Sequence, residues 1–114
     1  MDQVRIGVIG CGIGLIHLEG YEKDPRANVM ALAGLDEERC ASLVQRFNIP
    51  QRYRNYEDLL ANPEIDAVSV CVPNHLHAQV AIDALRAGKH VLIEKPLART
   101  IEEGEAIVEA GREA

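Results

Sequence analysis

The stretch Val4-Arg5-Ile6-Gly7-Val8-Ile9-Gly10-Cys11-Gly12-Ile13-Gly14 decides the fold. Val4 to Ile9 is a nearly continuous apolar run, the pattern of a strand buried on both faces. Glycines at alternate positions follow at once, and a helix should begin at about Gly14. Gly10 and Gly12 let the chain turn sharply and let its backbone approach a pyrophosphate with no Cβ in the way. Gly14 lets the helix lie close to the strand. Phosphates would then sit on N–H groups at the helix N-terminus. The spacing Gly-x-Gly-x-Gly is one residue shorter than the usual Gly-x-Gly-x-x-Gly. A glycine turn can be merely structural, but its place between a buried strand and a helix favours dinucleotide binding.

Strands and helices alternate outward from this unit. Val29 to Ala33 reads as a second buried strand. Asp36 can cap the next helix, with Cys40, Leu43, Val44 and Phe47 as its buried stripe. Gln51 to Arg54 reads as a short edge strand and Asn55 to Ala61 as a short helix. Ala67 to Val72 is a third strong strand, broken by Pro73-Asn74. A helix is predicted from there to Ala87, with Leu76, Val80, Ala81, Ala84 and Leu85 facing inward, and Gly88 as its αL stop. Val91 to Ile93 is the last strand, and Thr100-Ile101-Glu102-Glu103 is a capping box opening a final helix. This order predicts an α/β fold: a doubly wound, mostly parallel sheet in the order 3-2-1-4-5 with helices on both faces. Its crevice opens where strands 1 and 4 diverge, beside both the Gly10 turn and Pro73-Asn74.

Composition bounds the function. The chain of 114 residues fits one domain, and 47% hydrophobic with 26% charged residues predicts a globular protein. A net charge of −6 with no basic cluster argues against nucleic acid as a partner. No apolar run approaches a membrane span, and the N-terminus lacks a signal-peptide pattern, so the expected location is cytoplasmic. The cysteines, Cys11, Cys40 and Cys71, are odd in number and form no Cys-x-x-Cys, which predicts neither a disulfide framework nor a zinc site. Cys40 and Cys71 are expected as small core residues.

An acid that binds the ribose is expected ~20 residues beyond the glycines. That count lands on Gly34, and the nearest acid is Asp36, which serves equally well as a helix cap. The absence of an acid at Gly34 removes a barrier to a 2′-phosphate, which Arg39 could help to hold. Among the histidines, His77 is the one expected to face a ligand. Lys95, beside Glu94 at a strand end, can hold a substrate hydroxyl or pass a proton, or can form a structural ion pair.

Together these segments resemble one family. They are Gly10 to His17, Asp36 to Arg39, Asp66 to His77, and above all Ala84 to Ala98 with its Gly88-Lys89-His90-Val91 and Glu94-Lys95-Pro96. The resemblance is to the glucose–fructose oxidoreductase / inositol dehydrogenase / rhizopine catabolism (Gfo/Idh/MocA) oxidoreductases. It implies an NAD(P)-binding Rossmann domain over residues 1–114, with NAD or NADP as cofactor and a sugar or polyol as substrate of the full-length protein. Gly10, Gly12, Ile13 and Gly14 would line the pyrophosphate. Pro73, Asn74 and His77 would lie near the nicotinamide, Glu94 would touch the cofactor, and Lys95 would be catalytic. Cys11, Leu35, Asp36, Arg39 and Val72 complete the expected cofactor-binding set. The resemblance also implies that a sixth strand and a second, substrate-binding domain are absent here. The chain alone is therefore expected to be inactive and to form a homo-oligomer, through pairing at its strand-5 edge or exchange of the final helix. The alternative is a stand-alone dinucleotide-binding module without turnover.

Overall fold

Five parallel strands, β1 (Val4–Ile9), β2 (Ala27–Ala33), β3 (Gln51–Tyr53), β4 (Ala67–Val70) and β5 (His90–Ile93), alternate with helices α1 (Gly14–Glu22), α2 (Glu37–Phe47), α3 (Tyr56–Leu60), α4 (His77–Arg86) and α5 (Ile101–Glu113). The computed structural model describes residues 3–93 and 101–113. The strand order is β3-β2-β1-β4-β5, as the sequence pattern predicts. Thr100, the first residue of the expected capping box, lies outside the described residues.

Alternate residues of the central strands feed two cores. On one face Ile9, Ala31, Ala33, Val68 and Val70 pack against Leu59 of α3 and Val80 and Ala84 of α4. On the other, Ile6, Val8 and Leu32 pack against Leu18 of α1 and Cys40 and Leu43 of α2. Helix α5 lies on α4, where Ile107 meets Ala78 and Ala81. Leu18, Leu32 and Leu59 are fully buried. Each such side chain contributes roughly 1.5–3 kcal/mol of apolar burial.

The end of the sheet away from the glycine turn is closed by charge. The Arg5 guanidinium donates to both carboxylate oxygens of Asp66, Nε at 3.2 Å and Nη2 at 3.0 Å. These hydrogen bonds hold the Asp66 carboxyl below the usual carboxylate range. Lys89 lies alongside, with Nζ donating to the carbonyls of Asn62 (2.8 Å) and Ile65 (2.7 Å). Burial lowers its ammonium from the ordinary lysine value. With that end shut, the opposite, carboxyl end of the strands is where the sheet can open.

The segment after β4 departs from the expectation of one continuous helix. Residues Asn74–Leu76 form a single 3₁₀ turn before α4. The tighter turn changes the phase of the side chains. Leu76, expected inside, is 42% exposed, and His77 turns inward. Gly88 ends the helix with φ +80°, as its αL role requires.

Candidate functional site

The turn between β1 and α1 is built on backbone contact. Gly10 has φ +108°, and a Cβ there would overlap the carbonyl oxygen of Cys71 and lie 3.1 Å from the Val72 nitrogen. The Gly10 N–H donates to Ala33 O at 2.8 Å, and the Cys71 N–H donates to Ile9 O at 2.8 Å. The ends of β1, β2 and β4 are thus fastened just below the turn. Gly12 differs: no protein atom lies within 4 Å of where its Cβ would stand. No side chain caps α1, whose N-cap is Ile13. Leu15 and Ile16 of its first turn donate to Gly12 O at 3.3 Å and Ile13 O at 2.9 Å, so an anion would be received by the N–H groups of the turn just before them.

A cavity of about 600 Å³ lies over this turn. Gly10, Cys11 and Gly12 form its floor, Leu35, Asp36 and Arg39 one wall, and Val72 and Pro73 another. These eight are members of the cofactor set read from the sequence. Further walls come from Arg54 and Asn55 between β3 and α3, Tyr56 and Glu57 at the start of α3, Leu76, and Gln79 and Val80 of α4. The Arg54 to Glu57 wall carries no motif and was not legible from local spacing. Gly14 lies below the cavity, where its Cβ would approach Val8 Cγ1 to 3.1 Å, so it serves helix–strand packing. Ile13 is 46% exposed.

The cysteine expectation is corrected. Cys11 and Cys40 are joined by a disulfide across a sequence separation of 29 residues. An odd cysteine count argues only about frameworks, whereas this bond is made by the fold, which lays the turn against α2. Cys71 is buried in the same core. The bridge also explains position 34. A Cβ on Gly34 would collide with both bridged sulfurs, so the expected ribose-binding acid has no room there. Gly34→Asp should therefore lower stability by roughly 2–4 kcal/mol through overpacking. A denaturation midpoint unchanged from the parent would show that the sulfurs can yield.

Asp36 caps α2: its Oδ1 accepts from the Arg39 N–H at 3.1 Å. The Arg39 guanidinium reaches back to the glycine turn, with Nε donating to Cys11 O at 2.8 Å and Nη2 to Gly12 O at 3.3 Å. Arg54 Nη1 stands 3.4 Å from Glu37 Oε1 at the same end of the cavity. Tyr56 hydrogen-bonds to Asp83, and burial together with that carboxylate raises its phenol far above the ordinary value. Tyr56 is thus held in place at the wall by Asp83. His77 does not face the cavity. Its side chain is 1% exposed, and Nε2 pairs with Val72 O at 2.7 Å. It fastens the break after β4, so that Val72 and Pro73 are held at the cavity wall. The 3₁₀ turn begins at Asn74. Glu94 and Lys95 lie outside the described residues.

A glycine turn at the divergence of strands 1 and 4, an uncapped helix start and a cavity above them define a dinucleotide-binding domain of Rossmann type. The sequence profile described as "Oxidoreductase family, NAD-binding Rossmann fold" (GFO_IDH_MocA) matches residues 4–114, and the chain belongs to that family as its NAD-binding domain. It is 43% identical over 111 residues to an uncharacterized oxidoreductase, ORF334, of Rhizobium meliloti, covering 90% of this chain and 31% of that protein. It is 32% identical to the myo-inositol 2-dehydrogenase of Thermotoga maritima, covering 97% of this chain and 34% of the relative. Among solved structures, KijD10, a 3-ketoreductase from Actinomadura kijaniata in complex with TDP-benzene and NADP, superposes with a TM-score of 0.91 at 38% identity. That match covers 98% of this chain and 36% of KijD10. The chain spans about a third of the length of these relatives. No helix among the described residues is long and apolar enough to cross a membrane.

Proposed function

We propose that this domain holds NAD or NADP for an oxidoreductase acting on a hydroxyl or carbonyl of a sugar- or polyol-like substrate. The observation that carries the reading is the open space at Gly12, on the floor of the cavity where strands 1 and 4 part. The bound dinucleotide supplies the site that accepts or donates hydride. The backbone at Gly12 receives the pyrophosphate, Gly10 shapes the turn beneath it, and Arg39 holds that turn in place through two of its carbonyls. Val72 and Pro73 bound the nicotinamide side. Lys95, two residues beyond β5 in sequence, holds the substrate hydroxyl and carries its proton, with Glu94 against the cofactor. The substrate class is supported by relatives named for inositol and for a dTDP-deoxyhexose. The setting is cytoplasmic.

At the ribose end position 34 has no room for an acid, while Arg39 and Arg54 line the wall. NADP is therefore expected to bind at least as tightly as NAD, since two guanidiniums favour the 2′-phosphate. Titration calorimetry with both dinucleotides tests this. Binding of neither would overturn the site; a strong preference for NAD would mean that Asp36 reads the ribose.

Self-association rests on β5, which edges the sheet among the described residues with Leu92 53% exposed. Such an edge invites pairing with a second copy. Light scattering across a dilution series should then give a mass that falls with dilution; a constant monomer mass would refute it.

A further inference from the structure

The disulfide between Cys11 and Cys40 lies within the dinucleotide cradle, and nothing in the binding chemistry uses sulfur. We propose that this pair is a reversible thiol–disulfide site that sets the affinity of the cradle, tight when bridged and weak when reduced. The proposal rests on the reading of the cavity as the dinucleotide site.

Position is the first support. Cys11 stands between Gly10 and Gly12 and lines the cavity, while Cys40 lies in α2 with 0% exposure. The bridge therefore ties the phosphate-facing turn to the ribose-side helix. Packing is the second. Both sulfurs crowd Gly34, where any Cβ would collide. Reduction must part them from bonding distance to van der Waals contact, roughly 1.5 Å further. Cys40 is enclosed in the core with Leu32 and Leu43, so the movement falls on Cys11 and its turn. The third support is Arg39, which holds the carbonyls of Cys11 and Gly12 at 2.8 and 3.3 Å. A displaced turn breaks that register, and with it the alignment of the N–H groups that receive the pyrophosphate. Cytoplasmic disulfides are usually transient and redox-sensing, which fits the proposed setting.

The chemistry balances with a dithiol as reductant. Its thiolate attacks the Cys11 sulfur from the cavity, in line with the S–S bond. That bond breaks, and Cys40 leaves as thiolate and takes a proton. The second thiol of the reductant then displaces Cys11 from the mixed disulfide. The reductant ends as a disulfide, having given two electrons and two protons. A dinucleotide seated on the turn covers this approach. Binding therefore slows reduction, and because the bridged form binds more tightly, linkage also makes the bridge harder to reduce at equilibrium when the dinucleotide is bound.

The test compares the oxidised chain, the same chain reduced with dithiothreitol, and Cys40→Ser, each titrated with NADP. The oxidised form is expected to bind on the order of tenfold more tightly than the other two, because the bridge pre-organises the turn. Thiol alkylation read by mass spectrometry should show a pair of thiols gained on reduction, and more slowly under saturating NADP. Equal affinity in the oxidised and reduced wild type would overturn the coupling and leave the dinucleotide site standing, whether or not Cys40→Ser folds. A reduction rate indifferent to NADP, or no bridge formed under mild oxidant, would also overturn it. An oxidised form that binds no NADP would refute the site reading instead.

Discussion

Gly10→Ala is expected to cost the domain roughly 3–5 kcal/mol, a large fraction of the stability a domain of this size has. Two penalties add. The residue has φ +108°, a conformation that L side chains rarely adopt. Its new methyl would also meet the Cys71 carbonyl oxygen and stand 3.1 Å from the Val72 nitrogen. Both are backbone atoms of the neighbouring strand, so neither can swing aside. Relief requires β1 and β4 to part at their carboxyl ends, which breaks the 2.8 Å bond from the Cys71 N–H to Ile9 O. Urea denaturation followed by circular dichroism would measure the loss. A variant within about 1 kcal/mol of the parent would show that the turn can relax.

Gly12→Val, two residues on, is expected to behave in the opposite way. No protein atom lies within 4 Å of the added Cβ, so the fold should tolerate it to within about 0.5 kcal/mol, as for surface substitutions. The side chain would instead stand in the cavity where the pyrophosphate approaches the backbone. Loss of one or two charge-assisted hydrogen bonds, each worth ~1.5–3 kcal/mol, predicts a fall in NADP affinity on the order of a hundredfold. Calorimetry on a variant with an unchanged melting temperature would read it. Unchanged affinity would remove the pyrophosphate from Gly12, and a large fall in melting temperature would make this glycine structural.

The frame of the site was legible because it is periodic and local. The apolar run Val4–Ile9 and the glycines after it placed β1, the turn and α1 within a residue of where they lie. Asp36 announced the N-terminus of α2 in the same way. What escaped was made by tertiary approach. The Cys11–Cys40 bond joins residues from separate elements and leaves no spacing signal. His77 sits four residues past Pro73, as a ligand-facing residue would, yet the 3₁₀ turn rotates it into the core and leaves Leu76 on the cavity wall. The Arg54 to Glu57 wall comes from the β3–α3 connection and the first residues of α3, which carry no motif and which the sheet order alone brings near the Gly10 turn.

The sulfurs packed on Gly34 bear on how such a domain could evolve. A carboxylate at that position is the simplest route to reading a ribose 2′-hydroxyl, and here it is sterically closed. The mutational path is therefore ordered. At least one cysteine must be lost before an acid can be gained, because the reverse order passes through an overpacked and poorly folded intermediate. Lineages that keep the bridge keep position 34 without an acid, so a gain of NAD preference through that position would be historically contingent on giving up the sulfur.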